Sequence, residues 1–303
     1  MSYITIIGAA NMDLSAKSYQ PIIPQDSNPS RITKSHGGVG RNIGENLARL
    51  GADVKLIAPV GDDGFGRELL DGCEAVGIDT RCCYRSEHMP SQTYIAVLDE
   101  QGEMFVAAVD MACVLPISHM KIHADTIAGS DIILLETNLE QDMIAYILDH
   151  FSQNDLYVDP ISVTKAQKIK HLLGRFHTIK MNRLEAETLT DMVINSEADL
   201  RQAGDYFLAQ GTRRVIISLG AEGLYYRTES EEIRLYATPM TPINATGAGD
   251  ALMAGIAFCS LYGKSDSYTA SFAQAAAQVA LLSEYTVNPQ MDAQEVMWRM
   301  EQK

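Results

Sequence analysis

Short β-rich apolar runs alternate along this chain with segments of helical period, and that alternation leaves few folds open. Tyr3–Ala9 reads as a buried first strand. Gly37–Leu50 begins with glycines and then sets Ile43, Leu47 and Leu50 at helical spacing. Val54–Pro59 is a second strand, and Gly64–Val76 a second helix closed by Gly77. Asp131–Leu135, Leu156–Val158, Thr178–Met181 and Arg214–Leu219 continue the strands. Leu139–Phe151, Val163–Leu173, Arg183–Leu189 and Ala198–Gln210 supply helices between them. Such strands form βαβ units, whose parallel sheet is covered on both faces. The expectation is one α/β domain over residues 1–303, mostly helical from Gly247 to Gln302.

Two stretches break the rhythm. Ser18–Ser35 is polar and contains prolines, with Ile22-Ile23 and Ile32 as short strand candidates. Ser91–Val109 alternates through Tyr94, Ala96 and Leu98, turns at Glu100-Gln101-Gly102, and resumes at Met104 and Val106. Insertions at about residues 15–35 and 91–110 read as a small β-sheet lid beside a site; two unrelated surface loops are the alternative.

Charge narrows the function classes. Asp and Glu number 39 against 24 Lys and Arg, a formal net charge of −15. A chain this acidic is a poor non-specific partner for nucleic acid or anionic membrane, so any anion must be bound by a local device. The five cysteines form no CxxC pair and no zinc spacing, as expected in a reducing cytoplasm. Met1–Gly8 lacks a basic n-region, so no secretory signal is expected. Apolar stretches break within about 10 residues, well short of the roughly 20 that span a bilayer.

Five strings carry chemistry. In Asn244-Ala245-Thr246-Gly247-Ala248-Gly249-Asp250, glycines open a helix of small apolar residues. Amides there can converge on an anion, helped by roughly half a positive charge from the helix dipole. Asp250, just inside that end, is positioned to accept a proton from a hydroxyl. By itself the string also fits an ordinary helix start. His36-Gly37-Gly38-Val39-Gly40-Arg41-Asn42 is a second glycine-rich helix start, with Asn42 offering a donor and acceptors. Its spacing is not Gly-x-Gly-x-x-Gly, which disfavours a dinucleotide. Asn11-Met12-Asp13 stands at the carboxyl end of the first strand, where ligands sit in open α/β sheets; it can chelate vicinal hydroxyls or cap a turn. Asn182 and Glu185, one helical turn apart, can face a hydrated metal, form a capping box, or both. Ser218-Leu219-Gly220-Ala221-Glu222-Gly223 is a glycine turn that either approaches a nucleotide or simply forms a hairpin.

In this order the strings resemble the ribokinase-like (PfkB) carbohydrate kinase family, from Ile4 to about Pro289. The resemblance implies a three-layer α/β/α core with a mostly parallel sheet, a small β lid, and ATP-dependent phosphorylation of a sugar hydroxymethyl group. It implies Asp250 as catalytic base and the Gly247, Ala248 and Gly249 amides as anion hole. It puts Asn11, Asp13, Gly37, Gly38 and Asn42 on the sugar, with Glu136 near it. It puts Asn182, Ser218, Gly220, Gly223 and Thr246 by the nucleotide, and Glu185 on Mg²⁺ through water. Where the family commonly has Asp-Thr, this chain has Asn244-Ala245, which puts K⁺ activation in doubt.

Further strings resemble the pseudouridine kinase branch of that family. They are Asp26-Ser27-Asn28-Pro29, Gly37–Ile43, Asp159-Pro160-Ile161-Ser162 with Lys165, and Thr286-Val287-Asn288-Pro289. The implied substrates are ATP and a sugar or nucleoside, with no nucleic acid or membrane partner. Pseudouridine presents an N1–H where uridine has C–H, so a buried acceptor would discriminate. Ser27, Asn28, Gln92 and Thr93 are base-reading candidates, or solvated turn residues. A ribokinase with another acceptor and an inactive binding regulator are the alternative functions. Exposed lid strands are adhesive edges, and a homodimer through the lid would cover them.

Overall fold

The computed structural model describes residues 2–302. β1 (Ile4–Ile7) runs into two lid strands, β2 (Asn11–Ser18) and β3 (Ser30–Gly37), and then α1 (Val39–Leu50). β4 (Val54–Ile57), β5 (Pro59–Gly61), α2 (Gly64–Ala75), β6 (Ile78–Asp79) and β7 (Tyr84–Ser86) follow. The second lid pair is β8 (Thr93–Leu98) and β9 (Met104–Asp110). After α3 (Ile117–Ile122) and α4 (Ala124–Ala128) come β10 (Ile132–Glu136), α5 (Gln141–His150), β11 (Asp155–Asp159) and α6 (Val163–Ala166). β12 (Thr178–Asn182), α7 (Arg183–Thr190), α8 (Glu197–Gln210) and β13 (Arg214–Ser218) precede the hairpin β14 (Leu224–Thr228) and β15 (Glu232–Leu235). The chain closes with α9 (Ala248–Leu261), α10 (Asp266–Ala280) and α11 (Ala293–Glu301).

The large sheet has the order β15-β14-β13-β12-β11-β10-β1-β4-β6, with β14 alone running against the others. Side-chain alternation explains why it is buried twice. Ile4 and Ile6 enter one core with Ile132, Leu134 and the α1, α9 and α10 side chains. Ile7, Ile133, Leu135 and Ile217 enter the opposite core with α5, α7 and α8. A period of two with both faces apolar requires helices on both sides, and the result is the three-layer architecture expected.

The lid is a four-stranded sheet in the order β3-β2-β8-β9. It starts earlier than expected. Asn11 and Asp13 lie on β2, paired with Gly37 and Ser35 of β3, rather than at the end of the first strand. Pairing on both edges, antiparallel to β3 and parallel to β8, makes this polar segment a strand despite its composition. Ile22-Ile23 is not a strand. Pro21, Pro24 and Pro29 remove ladder donors there, and the Asn28 side chain binds both the N–H and the C=O of Ile23. Val163–Leu173 also departs from expectation: only Val163–Ala166 is α-helical, followed by 3₁₀ turns at Gln167–Ile169 and Leu173–Arg175. Ala166, Ile169 and Leu173 still turn inward, so the spacing foretold burial but not the tighter winding. Among the described residues no helix is long and apolar enough to cross a membrane.

Candidate active site

An open cleft of ≈ 790 Å³ lies at the carboxyl ends of the parallel strands. The first turns of α1 and α9 form part of its floor, and β2, β8 and β9 contribute lid residues.

The α9 start is a cradle of main-chain donors. Gly247 is its N-cap at φ 86°, and a Cβ there would overlap the Thr286 carbonyl oxygen, so glycine is required on both counts. Ala251 is the first residue of the helix whose N–H reaches back to Gly247. The amides of Ala248, Gly249 and Asp250 therefore remain open to a ligand. Asp250 is half-buried at the cleft floor. Burial pushes its carboxyl up to about 7, and the Asp159 charge adds to this; Lys180 and the Asn42 amide pull it down.

One hydrogen bond and one nearby charge act on that carboxylate. Asn42 Nδ2 donates to Asp250 Oδ2 at 3.0 Å. Asn42 is itself oriented, because Arg41 Nη1 donates to its Oδ1 at 3.1 Å. Arg41 is buried and ion-paired to Glu45 one turn on. Lys180, buried, donates to Asp159 Oδ2 at 2.8 Å. Burial works against its charge, but Asp159 and then Asp250 keep its pKa above the usual value. A Cβ on Gly249 would stand 2.9 Å from Lys180 Nζ, so the ammonium sits directly under the cradle.

One end of the cleft is built from β2 and α1. Asn11 Nδ2 donates to Asp13 Oδ1 at 2.5 Å, and both side chains line the cleft with Gly38 and Asn42. Burial raises Asp13 to about 6, against the Asn11 bond and the Arg41 charge. Gly37 lies behind Asp13, where a Cβ would overlap its carboxylate. At the other end, Asn182 and Glu185 do form a capping box: Glu185 N donates to Asn182 Oδ1 at 2.9 Å and Asn182 N to Glu185 Oε2 at 2.8 Å. Burial first, then Asp159, raises the Glu185 pKa. Ser218 and Thr246 join them on the cleft wall.

Other expected site residues lie elsewhere. Gly220 and Gly223 shape the 3₁₀ turn between β13 and β14 and do not line the cleft. Ser27 and Asn28 sit in an exposed turn between β2 and β3. Gln92 is buried, with Nε2 on the Cys113 carbonyl at 2.7 Å, and Thr93 Oγ1 turns to the Ser91 carbonyl at 3.1 Å. Glu136 is wholly buried behind the Gly8–Ala9 loop, accepting from Ala9 N at 2.5 Å and Asn138 N at 2.6 Å. Burial pushes it up to about 7. Conversely, Asp159, Lys180, Asn138, Ile161 and Lys165 line the cleft, and sequence reasoning gave them no chemical role. An Asp at the end of one apolar strand and a Lys inside the next were the available signal.

Among the described residues no three His, Cys, Asp or Glu side chains cluster as a metal cage. Both Glu185 oxygens already accept from Asn182, which suits water-mediated contact with a hydrated cation better than direct ligation.

The pfkB family carbohydrate kinase model matches residues 1–293. The chain belongs to that family. This pfkB kinase is 36% identical over 298 residues to pseudouridine kinase of Escherichia coli K12, covering 97% of this chain and 95% of that protein. It is 26% identical to Bacillus subtilis ribokinase, covering 93% and 94% of the two chains. Its structure matches a carbohydrate kinase from Agrobacterium tumefaciens with a TM-score of 0.88 at 25% identity, covering 99% and 97%. Arabidopsis thaliana ribokinase, solved with ribose and ATP, superposes with a TM-score of 0.86 at 19% identity over 99% of each chain, a likeness of fold. The chain is thus a sugar or nucleoside kinase with a ribokinase-like fold.

Proposed function

We propose that this kinase transfers the γ-phosphoryl group of ATP to the 5′-hydroxyl of pseudouridine. The observation carrying the reaction is Asp250, a carboxylate with a pKa raised to about 7 at the helix start where the amides of Ala248, Gly249 and Asp250 are open. The acceptor reading is supported by 36% identity to a pseudouridine kinase along nearly the whole chain. In this reading Asn11 and Asp13 hold the ribosyl hydroxyls. Asp250 takes the hydroxyl proton as the new O–P bond forms, and the β–γ bridging oxygen leaves with ADP. The α9 amides hold the charge of the transferring group. Asn182 and Glu185 would hold the waters of Mg²⁺, which offsets phosphate charge when bound. Asn244 is uncharged and bonded to the Glu284 carbonyl and the Thr246 amide, so the reading assigns it no K⁺.

The exposed apolar edge of the lid supports a homodimer through β9, and five buried free thiols suit a cytoplasmic enzyme. The test is a panel of pseudouridine, uridine and ribose with ATP and Mg²⁺, compared by kcat/KM. A preference for pseudouridine supports the assignment, and a preference for ribose rejects it.

A further inference from the structure

Two lysines hang from the segment after β11, and their surroundings differ. Lys168 Nζ donates to the Thr137 carbonyl at 3.1 Å and the Leu139 carbonyl at 2.8 Å, tying down the loop after β10. Lys165 Nζ makes one hydrogen bond within the chain, to the neutral Asn138 Oδ1. It has no ion pair among the described residues, is half-buried, and lines the cleft. Burial lowers its pKa, opposed by the charge of Glu136. An ammonium has three N–H donors and no acceptor, so two donors face the cleft with nothing from the protein to receive them.

Topology says which end of the cleft this is. The nucleotide-side residues Asn182 and Ser218 end β12 and β13. Lys165 reaches the other way, to Asn138 beyond β10, which neighbours β1 and the acceptor end. Ile161 shares this stretch of the wall, with its backbone at φ 62°, a conformation costly for a β-branched residue. It is held there by its N–H on Asp159 Oδ1 at 2.9 Å. The lid adds Tyr94 and Val109 to the same cleft.

A free pentose needs acceptors and short donors, which Asn11 and Asp13 supply. An ammonium beside an amide and apolar side chains suits a flat ring bearing carbonyl oxygens. We propose that Lys165 and Asn138 bind the carbonyl oxygens of the acceptor's nucleobase, with Ile161 against the ring, so that this pair separates nucleosides from free sugars. The inference rests on the nucleoside reading above and gives it a base subsite.

The test measures kcat/KM for pseudouridine, uridine and ribose, and KM for ATP, with the wild-type chain, Lys165→Met and Lys165→Arg. Losing a charged donor to a carbonyl lowers the pseudouridine-to-ribose ratio of kcat/KM by about tenfold or more in Lys165→Met, through KM. Lys165→Arg, which keeps the donors, retains most of the ratio. A Lys165→Met variant that loses ribose and pseudouridine in equal measure, or that raises KM for ATP, assigns the lysine to stability or to phosphate and overturns the proposal. A wild-type chain that prefers ribose overturns the acceptor reading itself, an outcome visible before any variant is made.

Discussion

Asn42 and Asp250, 208 positions apart in sequence, meet through a 3.0 Å hydrogen bond at the point where α1 and α9 begin. The direction of that bond is set by chemistry. A carboxylate can only accept and a guanidinium can only donate, so Asn42, standing between Asp250 and Arg41, must present its NH₂ to the first and its oxygen to the second. The pairing Glu45–Arg41–Asn42–Asp250 therefore runs from a buried ion pair to the proposed base without ambiguity in any link.

Arg41→Met removes the group that fixes the Asn42 amide. Asn42 opposes the rise of the Asp250 pKa, so loosening it moves that pKa upward from about 7. The acidic limb of the kcat/KM profile should shift to higher pH, and turnover at neutral pH should fall about tenfold. A profile unchanged in position would assign Arg41 to stability alone.

Asp250→Asn should lose about 10²–10⁴-fold in turnover, the usual worth of a positioned general base. The same variant should melt at a higher temperature at pH 8. Asp250 is raised from 3.8 to about 7, so the native state binds the proton more tightly than the unfolded chain. Its ionisation therefore destabilises the fold as pH climbs from 4 through 7, and the neutral amide avoids that cost. Glu136, raised from 4.5 to about 7, acts in the same direction. Activity that needs the ionised base and stability that favours the protonated one should then run oppositely across pH 6–8, measurable by parallel rate and melting profiles. Near-wild-type turnover in Asp250→Asn would reject the base assignment.

Gly247→Ala should damage the anion cradle and leave the acceptor end intact. Its φ of 86° costs a residue with a Cβ about 1–2 kcal/mol, before the overlap with the Thr286 carbonyl is counted. The expected result is a lower melting temperature and a KM for ATP that rises more than KM for the acceptor. Equal changes in both would mean that the amides serve the whole cleft rather than the phosphates.

What could be read in advance follows from how local each determinant is. β1 and β10 are largely apolar on both faces, and β12 and β13 carry apolar centres, because helices cover the sheet twice, and such runs stand out in one dimension. The glycines of Gly247 and Gly38 report their own backbone needs, since each has positive φ and no room for a Cβ. β2 was misplaced because Asn11-Met12-Asp13-Leu14-Ser15 is made a strand by β3 and β8, which arrive from elsewhere. The Lys180–Asp159 pair was missed for the same reason: two strands must lie side by side before a buried ammonium can find its carboxylate. For Asn28 the motif leaves base reading and turn formation open, and only the folded chain shows its side chain closing the turn upon Ile23.

The lid makes the last prediction. β9 is an edge strand, exposed along its whole length, and it carries Phe105 and Val106, outside the cleft lining, with more than half of each side chain's surface open. An edge this long and apolar, with unpaired backbone groups, is a template for another chain. Nothing else in the described residues covers it, and a second copy of the lid would pair with this edge. The protein should have the mass of a dimer by light scattering at micromolar concentration. Val106→Lys, which puts a charge in the middle of the edge, should shift it to monomer without lowering the melting temperature of the α/β core. A monomeric wild-type mass would remove the lid dimer, and a dimer that survives Val106→Lys would move the interface to another surface.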